Sequence, residues 1–240
     1  MASSDDTDHV LEETKEYYRQ RASQYSDWSH RTDSWEQLDF APDDSWFSEA
    51  QILIEALKSR RLTGDVLEIA SGTGEWTDVL ARTATSVTAL DSSAEMHERS
   101  RSRLAGNPKV KYIIADIYDW IPDKEYDSVT FSFWLSHVPG SKLDEFASKV
   151  SDSLKPGGTV FFVDQQMEAI KYEILDRPDG EIATRPLLDG RQFRIVKHFY
   201  TTEEIERSFL RQGIKIDVSN TATHFFYASG AKPSNPSGSP

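Results

Sequence analysis

A chain of 240 residues with 38% hydrophobic and 28% charged side chains has the make-up of one α/β domain with an elaborated cap. No apolar run approaches the roughly 18 residues that a membrane span needs. A net charge of −13 repels phosphate backbones, so DNA or RNA is disfavoured as substrate and a small molecule favoured. The chain has no cysteine, which excludes disulfides, thiolate metal sites and cysteine nucleophiles and agrees with a cytoplasmic protein.

Residues 1–9 and 231–240 are rich in Ser, Asp, Pro and Gly and read as disordered tails around a single domain over 10–230. The acidic start is unlike a signal or transit peptide. From Val10 to Trp28 the spacing of Leu11, Tyr17, Tyr18, Arg21, Ala22 and Tyr25 predicts an amphipathic helix. Residues 28–46 hold Trp28, Trp35 and Trp46 in an irregular segment that either lines a pocket or plugs the core edge. Phe47–Arg60 reads as a helix with Ile52, Leu53, Ala56 and Leu57 turned inward, ended by Gly64.

Val66–Ile69 is a short apolar run that suits a buried strand. It breaks at Gly72 and Gly74, and a helical face resumes at Trp76, Val79 and Leu80. Ser86–Leu90 is a second strand, ending in Asp91, and Ser92–Leu104 a helix with Ser92 or Ser93 as N-cap. A third strand, Val110–Ala115, ends at Asp116 and Ile117; a fourth, Tyr126–Phe133, runs into Trp134–Pro139. After the helix Leu143–Leu154, Lys155-Pro156-Gly157-Gly158 turns the chain into a fifth strand, Thr159–Val163, ending at Asp164. The alternation then stops. Glu181–Leu187 and Gln192–Lys197 flank Asp189-Gly190, which predicts a β-hairpin within an inserted cap over 165–200, placed over the active site or at a dimer contact. Thr201 caps a helix reaching Leu210, and Ile214–Val218 and His224–Ala228 supply two last strands.

A strand, a glycine turn and a helix N-terminus make a nucleotide pocket, because the turn lets backbone approach a ligand closely. Glu68, at the carboxyl end of the first strand, can accept hydrogen bonds from an amine there. Asp91 lies about twenty residues past the turn at the tip of strand two, where an acid accepts from ribose hydroxyls. That argument serves NAD and S-adenosylmethionine (SAM) alike, but an NAD fingerprint needs a third glycine and Thr77 stands in its place. Met96, one turn into the following helix, is placed either for an adenine or as apolar filler.

The pattern Glu68-x-Ala70-x-Gly72-x-Gly74, with Asp91, Asp116-Ile117, Asp127 to Val138 and Leu154-Lys155-Pro156-Gly157-Gly158 in order, resembles the class I SAM-dependent methyltransferases, over about Tyr17 to Ser229. That family usually carries Gly where this chain has Ala70, a replacement expected to be tolerated at a negative φ. The resemblance implies a doubly wound, seven-stranded, mostly parallel sheet with an N-terminal helical lid. It implies SAM held by Tyr17, Arg21, Glu68, Ala70, Gly72, Gly74, Asp91, Ser92, Met96, Asp116, Ile117 and Phe133. The Trp134–Pro139 stretch and the hairpin look most like small-molecule O-methyltransferases of sugars and natural products. His137, beyond strand four, is then the candidate base, ahead of His198 and His224, or else it binds loop backbone. In metal-assisted relatives, carboxylate and amide groups after strands four and five hold Mg²⁺, which makes Asp164, with Gln165, a candidate ligand. Transfer to nitrogen or carboxylate, a non-catalytic SAM-binding partner subunit and, less favoured, an NAD oxidoreductase are the alternatives. A homodimer through the hairpin is an expectation from its position alone.

Overall fold

The computed structural model describes residues 4–24, 44–176 and 180–234. Tyr25, Trp28 and Trp35 lie outside the described residues. Helices are α1 (Ser4–Arg21), α2 (Asp44–Arg60), α3 (Glu75–Ala81), α4 (Ala94–Arg103), α5 (Leu143–Ser153) and α6 (Thr202–Arg211). Strands are β1 (Asp65–Ile69), β2 (Ser86–Asp91), β3 (Val110–Ile114), β4 (Tyr126–Ser132), β5 (Leu154–Gln165), β6 (Ile182–Pro186), β7 (Gln192–Val196), β8 (Lys215–Asn220) and β9 (Phe225–Ala231).

Seven strands form one sheet in the order β3-β2-β1-β4-β5-β9-β8, with β1 to β5 parallel and β9 antiparallel to both neighbours. This is the doubly wound α/β sheet expected. Strand order reverses between β1 and β4, so a crevice opens at the carboxyl ends of these strands.

Period-two alternation assigns each strand residue to a face. Leu67 and Ile69 of β1, Phe131 of β4, and Val160 and Phe162 of β5 meet Phe146 and Val150 of α5 and Phe209 of α6. Phe162 stacks on both Phe131, at 4.5 Å between centroids, and Phe209, at 5.5 Å. Val66, Phe161 and Val163 face the other way, onto Leu53 and Leu57 of α2 and Trp76 and Leu80 of α3. Thr201 caps α6 reciprocally with Glu204, as its spacing predicts.

Two expectations need correction. The helix preceding Lys155-Pro156-Gly157-Gly158 ends at Ser153, and that segment already belongs to β5, with a register shift against β4 between Tyr126 and Ser128. The irregularity accommodates Pro156, which has no N–H to give to a ladder. At the N-terminus, α1 starts at Ser4, so residues 4–9 are helical rather than a tail. Two of their acids have partners: Asp6 meets Arg194 at 3.3 Å, and Asp8 lies 3.9 Å from Lys142.

The hairpin β6–β7 forms a separate two-stranded sheet, closed through Asp189 and Gly190, and α1 covers it. Val10 and Leu11 pack on Ile182 and Val196, while Tyr17 packs on Ala183, Leu187 and Ile195. Arg194 of β7 reaches back to Glu13 at 2.7 Å. Below, buried Arg185 of β6 is gripped by Glu173 through Nε at 3.0 Å and a second, shorter bond from its Nη2. A two-stranded ribbon is marginal by itself, and here the lid helix supplies its missing layer.

Candidate active site

A cavity sits in the crevice at the strand ends, and α1 lines part of it. Its floor is built from the segments that follow β1, β2, β3 and β4. Ala70, Gly72 and Thr73 come from the glycine turn, Asp91 and Ser92 from the end of β2, and Met96 from α4. Asp116 and Ile117 follow β3, and Phe133 and Trp134 follow β4. Nine of the residues expected at a SAM site therefore line one cavity: Arg21, Ala70, Gly72, Asp91, Ser92, Met96, Asp116, Ile117 and Phe133.

The geometry suits an adenosyl group. A Cβ built on Gly72 would meet nothing within 4 Å, so its backbone borders open space. The Asp91 carboxylate accepts from the Gly72 N–H at 2.8 Å and the Ser93 N–H at 2.9 Å, tying the turn to the start of α4. Burial pushes this carboxyl above its ordinary range, and those N–H donors pull the other way. Ser93 is the N-cap, accepting from the Met96 N–H at 3.1 Å, and this leaves Ser92 to the cavity wall. Asp116 accepts from the Tyr118 N–H at 2.9 Å and pairs with Lys15 of α1 at 2.5 Å, so the lid is fastened to the end of β3.

Three expected cofactor ligands lie elsewhere. Glu68 shares the β1 face of Val66, under α3, and its Oε2 accepts from the Thr77 hydroxyl at 2.6 Å. Side chains at Glu68 and Ile69 point to opposite faces, and only the strand tip opens to the cavity. Burial raises the Glu68 carboxyl to about 8. Gly74 (φ 82) is needed for close packing, since a Cβ there would stand 2.2 Å from Ser100 Oγ and 2.8 Å from Leu104 Cδ1. Tyr17 faces the hairpin. On a helix, adjacent residues point about 100° apart, so Leu11, Lys15 and Tyr18 carry the cavity row instead.

Ala70 also departs from expectation: its φ is +53, in the left-handed region, and Phe133 matches it at +56. Each non-glycine residue there costs on the order of 1–2 kcal/mol. The chain turns sharply at both strand tips, and both strained residues border the cavity.

Asp164, the metal candidate, does not fit a divalent ion. Its Oδ2 accepts from the Ser136 N–H at 2.8 Å and its Oδ1 from the Gln165 N–H at 2.7 Å, with the Lys197 ammonium nearby. A second cation there would be repelled, and among the described residues no group of three His, Asp or Glu side chains gathers to hold one. Asp164 is instead the anchor of the turn that carries His137. Gln165, not Asp164, reaches the cavity, where it accepts from Lys197 at 2.7 Å.

His137 closes a 3-10 turn, Leu135–His137, and is buried on the cavity wall. Its Nδ1 lies 2.7 Å from the Val196 carbonyl and its Nε2 2.8 Å from the Tyr18 hydroxyl. Burial first, then Lys197, Arg185 and Arg21, hold this imidazole well below the ordinary histidine range, against the Val196 carbonyl. His198 pairs with Glu181 at 3.0 Å and His224 with the Ser45 hydroxyl at 2.8 Å, and neither lines the cavity. Tyr18, Lys15, Arg185 and Lys197 are among the wall residues that the sequence did not assign to the site. The spacing 11, 15, 18 was a readable signal for the first two; the hairpin residues had none.

Two outcomes follow. Ala70→Gly removes a left-handed penalty of about 1–2 kcal/mol and adds about 0.5–1 kcal/mol of unfolded-chain entropy. The melting temperature should therefore hold or rise by up to about 3 °C, read by calorimetry. Glu68 keeps its proton in the folded state up to about pH 8 and releases it near 4.5 when unfolded, so its contribution to stability falls as pH rises between those values. Glu68→Gln should shrink the loss of melting temperature between pH 5 and pH 8.5 relative to the parent protein; an equal loss in both would contradict the raised carboxyl.

Comparison with known proteins agrees with this geometry. A family model described as a methyltransferase domain matches residues 66–158. The DhpI–SAH complex is 34% identical, with a TM-score of 0.74 over 95% of this chain and 98% of that one. The DhpI–SAM–HEP complex is 35% identical over 92% and 97%, also with a TM-score of 0.74. Demethylmenaquinone methyltransferase of Clavibacter sepedonicus is 40% identical over 98 residues, which are 40% of this chain and 38% of that protein. The chain thus spans well under half the length of that curated relative. The N-methyltransferase NodS of Bradyrhizobium japonicum, 14% identical with a TM-score of 0.64, shares the fold. Strand order, the cavity at the switch point and an end-to-end relative above 30% identity agree, and the chain belongs to the class I SAM-dependent methyltransferases.

Proposed function

We propose that this protein transfers the methyl group of SAM to a hydroxyl oxygen of a small molecule, with His137 as the group that takes up the hydroxyl proton. The observation that carries this reading is the hydrogen bonding of His137. A carbonyl oxygen only accepts, so the proton of the neutral ring resides on Nδ1, facing Val196, and Nε2 keeps its lone pair on the cavity side. With its pKa depressed, the ring is neutral and basic in form at physiological pH. An alcohol acceptor needs such a group; a neutral amine does not need it before attack.

When bound, SAM supplies an electrophilic methyl group on a sulfonium whose departing electron pair stays on sulfur. The chain's own residues align, enclose and deprotonate. Asp91 and Asp116 offer carboxylates along the donor side, with Met96 and Ile117 as apolar walls. The lid α1 brings Tyr18 and Arg21 to the cavity wall, and the hairpin segment brings Arg185 and Lys197, so that alignment can act in place of collision. Trp46 and Trp134 add flat apolar faces to the wall, suited to a sugar or aromatic acceptor. A cavity bordered by a lid helix and a hairpin in a chain of net charge −13 also favours a small acceptor over nucleic acid. The DhpI relative, known as a complex holding both SAM and HEP, supports a pocket shared by donor and a second small ligand. A homodimer is not part of this reading, because α1 already occupies one face of the hairpin.

SAM should raise the melting temperature, and Asp91→Ala should abolish most of that rise; a shift with NAD and none with SAM would sink the assignment. In a screen of sugars and phenolics with labelled SAM, the product should carry its label on oxygen. His137→Ala should then slow kcat by about 100-fold or more while leaving SAM affinity intact. The acid limb of kcat/KM should lie below pH 6.5, since the free enzyme's histidine is depressed.

A further inference from the structure

His137 does not meet the cavity bare. Tyr18 of the lid stands against it, ring edge to ring at 5.2 Å between centroids, with its hydroxyl on Nε2 at 2.8 Å. Because Nδ1 carries the ring proton, Nε2 can only accept, and the hydroxyl of Tyr18 must donate. A phenol oxygen that donates its proton can also accept one, and Tyr18 lines the cavity. From this geometry we infer that Tyr18 is the catalytic residue that receives the acceptor's proton, and that it relays its own proton to His137. The inference rests on the hydroxyl-transfer reading above and deepens it.

The step balances. The acceptor oxygen forms its bond to the methyl carbon as the carbon–sulfur bond breaks, its electron pair remaining on sulfur. The acceptor proton passes to Tyr18 Oη while the Tyr18 proton passes to His137 Nε2. The products are a methyl ether, S-adenosylhomocysteine and a protonated His137 still bound to the Val196 carbonyl. The phenol is regenerated within the step, so no phenolate accumulates, and the imidazolium returns its proton along the same path once the product leaves.

The same helix that carries Tyr18 sets its position. One turn earlier, Thr14 Oγ1 donates to the Val10 carbonyl at 2.8 Å and accepts from the Val196 N–H at 3.0 Å. Val196 thus gives its N–H to Thr14 and its carbonyl to His137, while Tyr18, four residues after Thr14, takes the other side of the imidazole. The relay exists only when α1 is seated on β7. Among the described residues, the titratable and charged groups facing the imidazole are Tyr18 and Arg21 from α1, Arg185 from β6 and Lys197 just beyond β7.

The test is a double-mutant cycle of Tyr18→Phe and His137→Ala, run on the sugar or phenol that the parent enzyme methylates in the labelled-SAM panel. Phe keeps the ring and removes the hydroxyl, and a SAM-induced thermal shift verifies folding and donor binding in each variant. Each single variant should lose about 100-fold or more in kcat, with the double no slower than the slower single, because members of one relay fail together. In ¹⁵N spectra of the parent, His137 should show protonated Nδ1 and an accepting Nε2, and Tyr18→Phe should move the Nε2 signal alone. If Tyr18→Phe keeps kcat, or the two losses multiply, the relay is wrong while the hydroxyl-transfer reading stands. If the parent enzyme methylates no hydroxyl in the panel, both fall.

Discussion

The peptide at Val196 is the point on which the acceptor side of this molecule hangs. Its N–H binds the lid through Thr14, its carbonyl binds the imidazole of His137, and its side chain packs beneath Val10 and Leu11. A strand edge offers hydrogen-bonding groups that something must satisfy. Here the last residue of β7 gives its N–H to a helix and its carbonyl to a ring. The lid, the hairpin and the turn after β4 therefore share one hydrogen-bond network, and Asp164 fixes that turn from below through the Ser136 N–H. Shifting any of the three elements would alter the environment of His137, and a shift of α1 would also reach Asp116 through Lys15.

Burial first, and then the charges around that network, keep this histidine neutral. Arg185 is tied to Glu173, while Lys197, itself lowered by burial, donates to Ser136 and Gln165 beside Asp164. Each cation is costly to bury, and each has oxygen partners in reach. Their summed field still falls on His137 and disfavours its protonated form.

The donor side was far more legible in the sequence than the acceptor side, for a geometric reason. In a parallel sheet every strand delivers its last residues to the same edge, so Asp91, Asp116 and the glycine turn converge whatever else the chain does. Errors on that side arose from facing, not from location. Glu68 sits one residue short of the tip and turns under α3; Gly74 is the N-cap just before α3 and packs against α4. The positive φ of Ala70 was hidden for a related reason: sequence reports which residue stands at a turn but not the dihedral it must adopt. Tyr17 against Tyr18 was again a question of facing, decided by a hairpin that lies far along the chain.

That difference also locates specificity. The matched methyltransferase family model ends at residue 158 and begins at 66, leaving out α1 and the hairpin, whereas the DhpI complexes align with more than nine-tenths of the chain. Tyr18 and His137 are 119 positions apart, and His137 and Val196 are 59 apart, so the acceptor wall forms only through tertiary packing. A shared donor half permits relatives to diverge in what they methylate, provided the sheet edge is kept. The strained residues support this division. Ala70 and Phe133 hold left-handed turns at the tips of β1 and β4, where donor and acceptor sides adjoin, and the rigid strands behind them bear the strain. Evolution of a new acceptor would then proceed through α1, β6 and β7, which rest on the sheet without belonging to it.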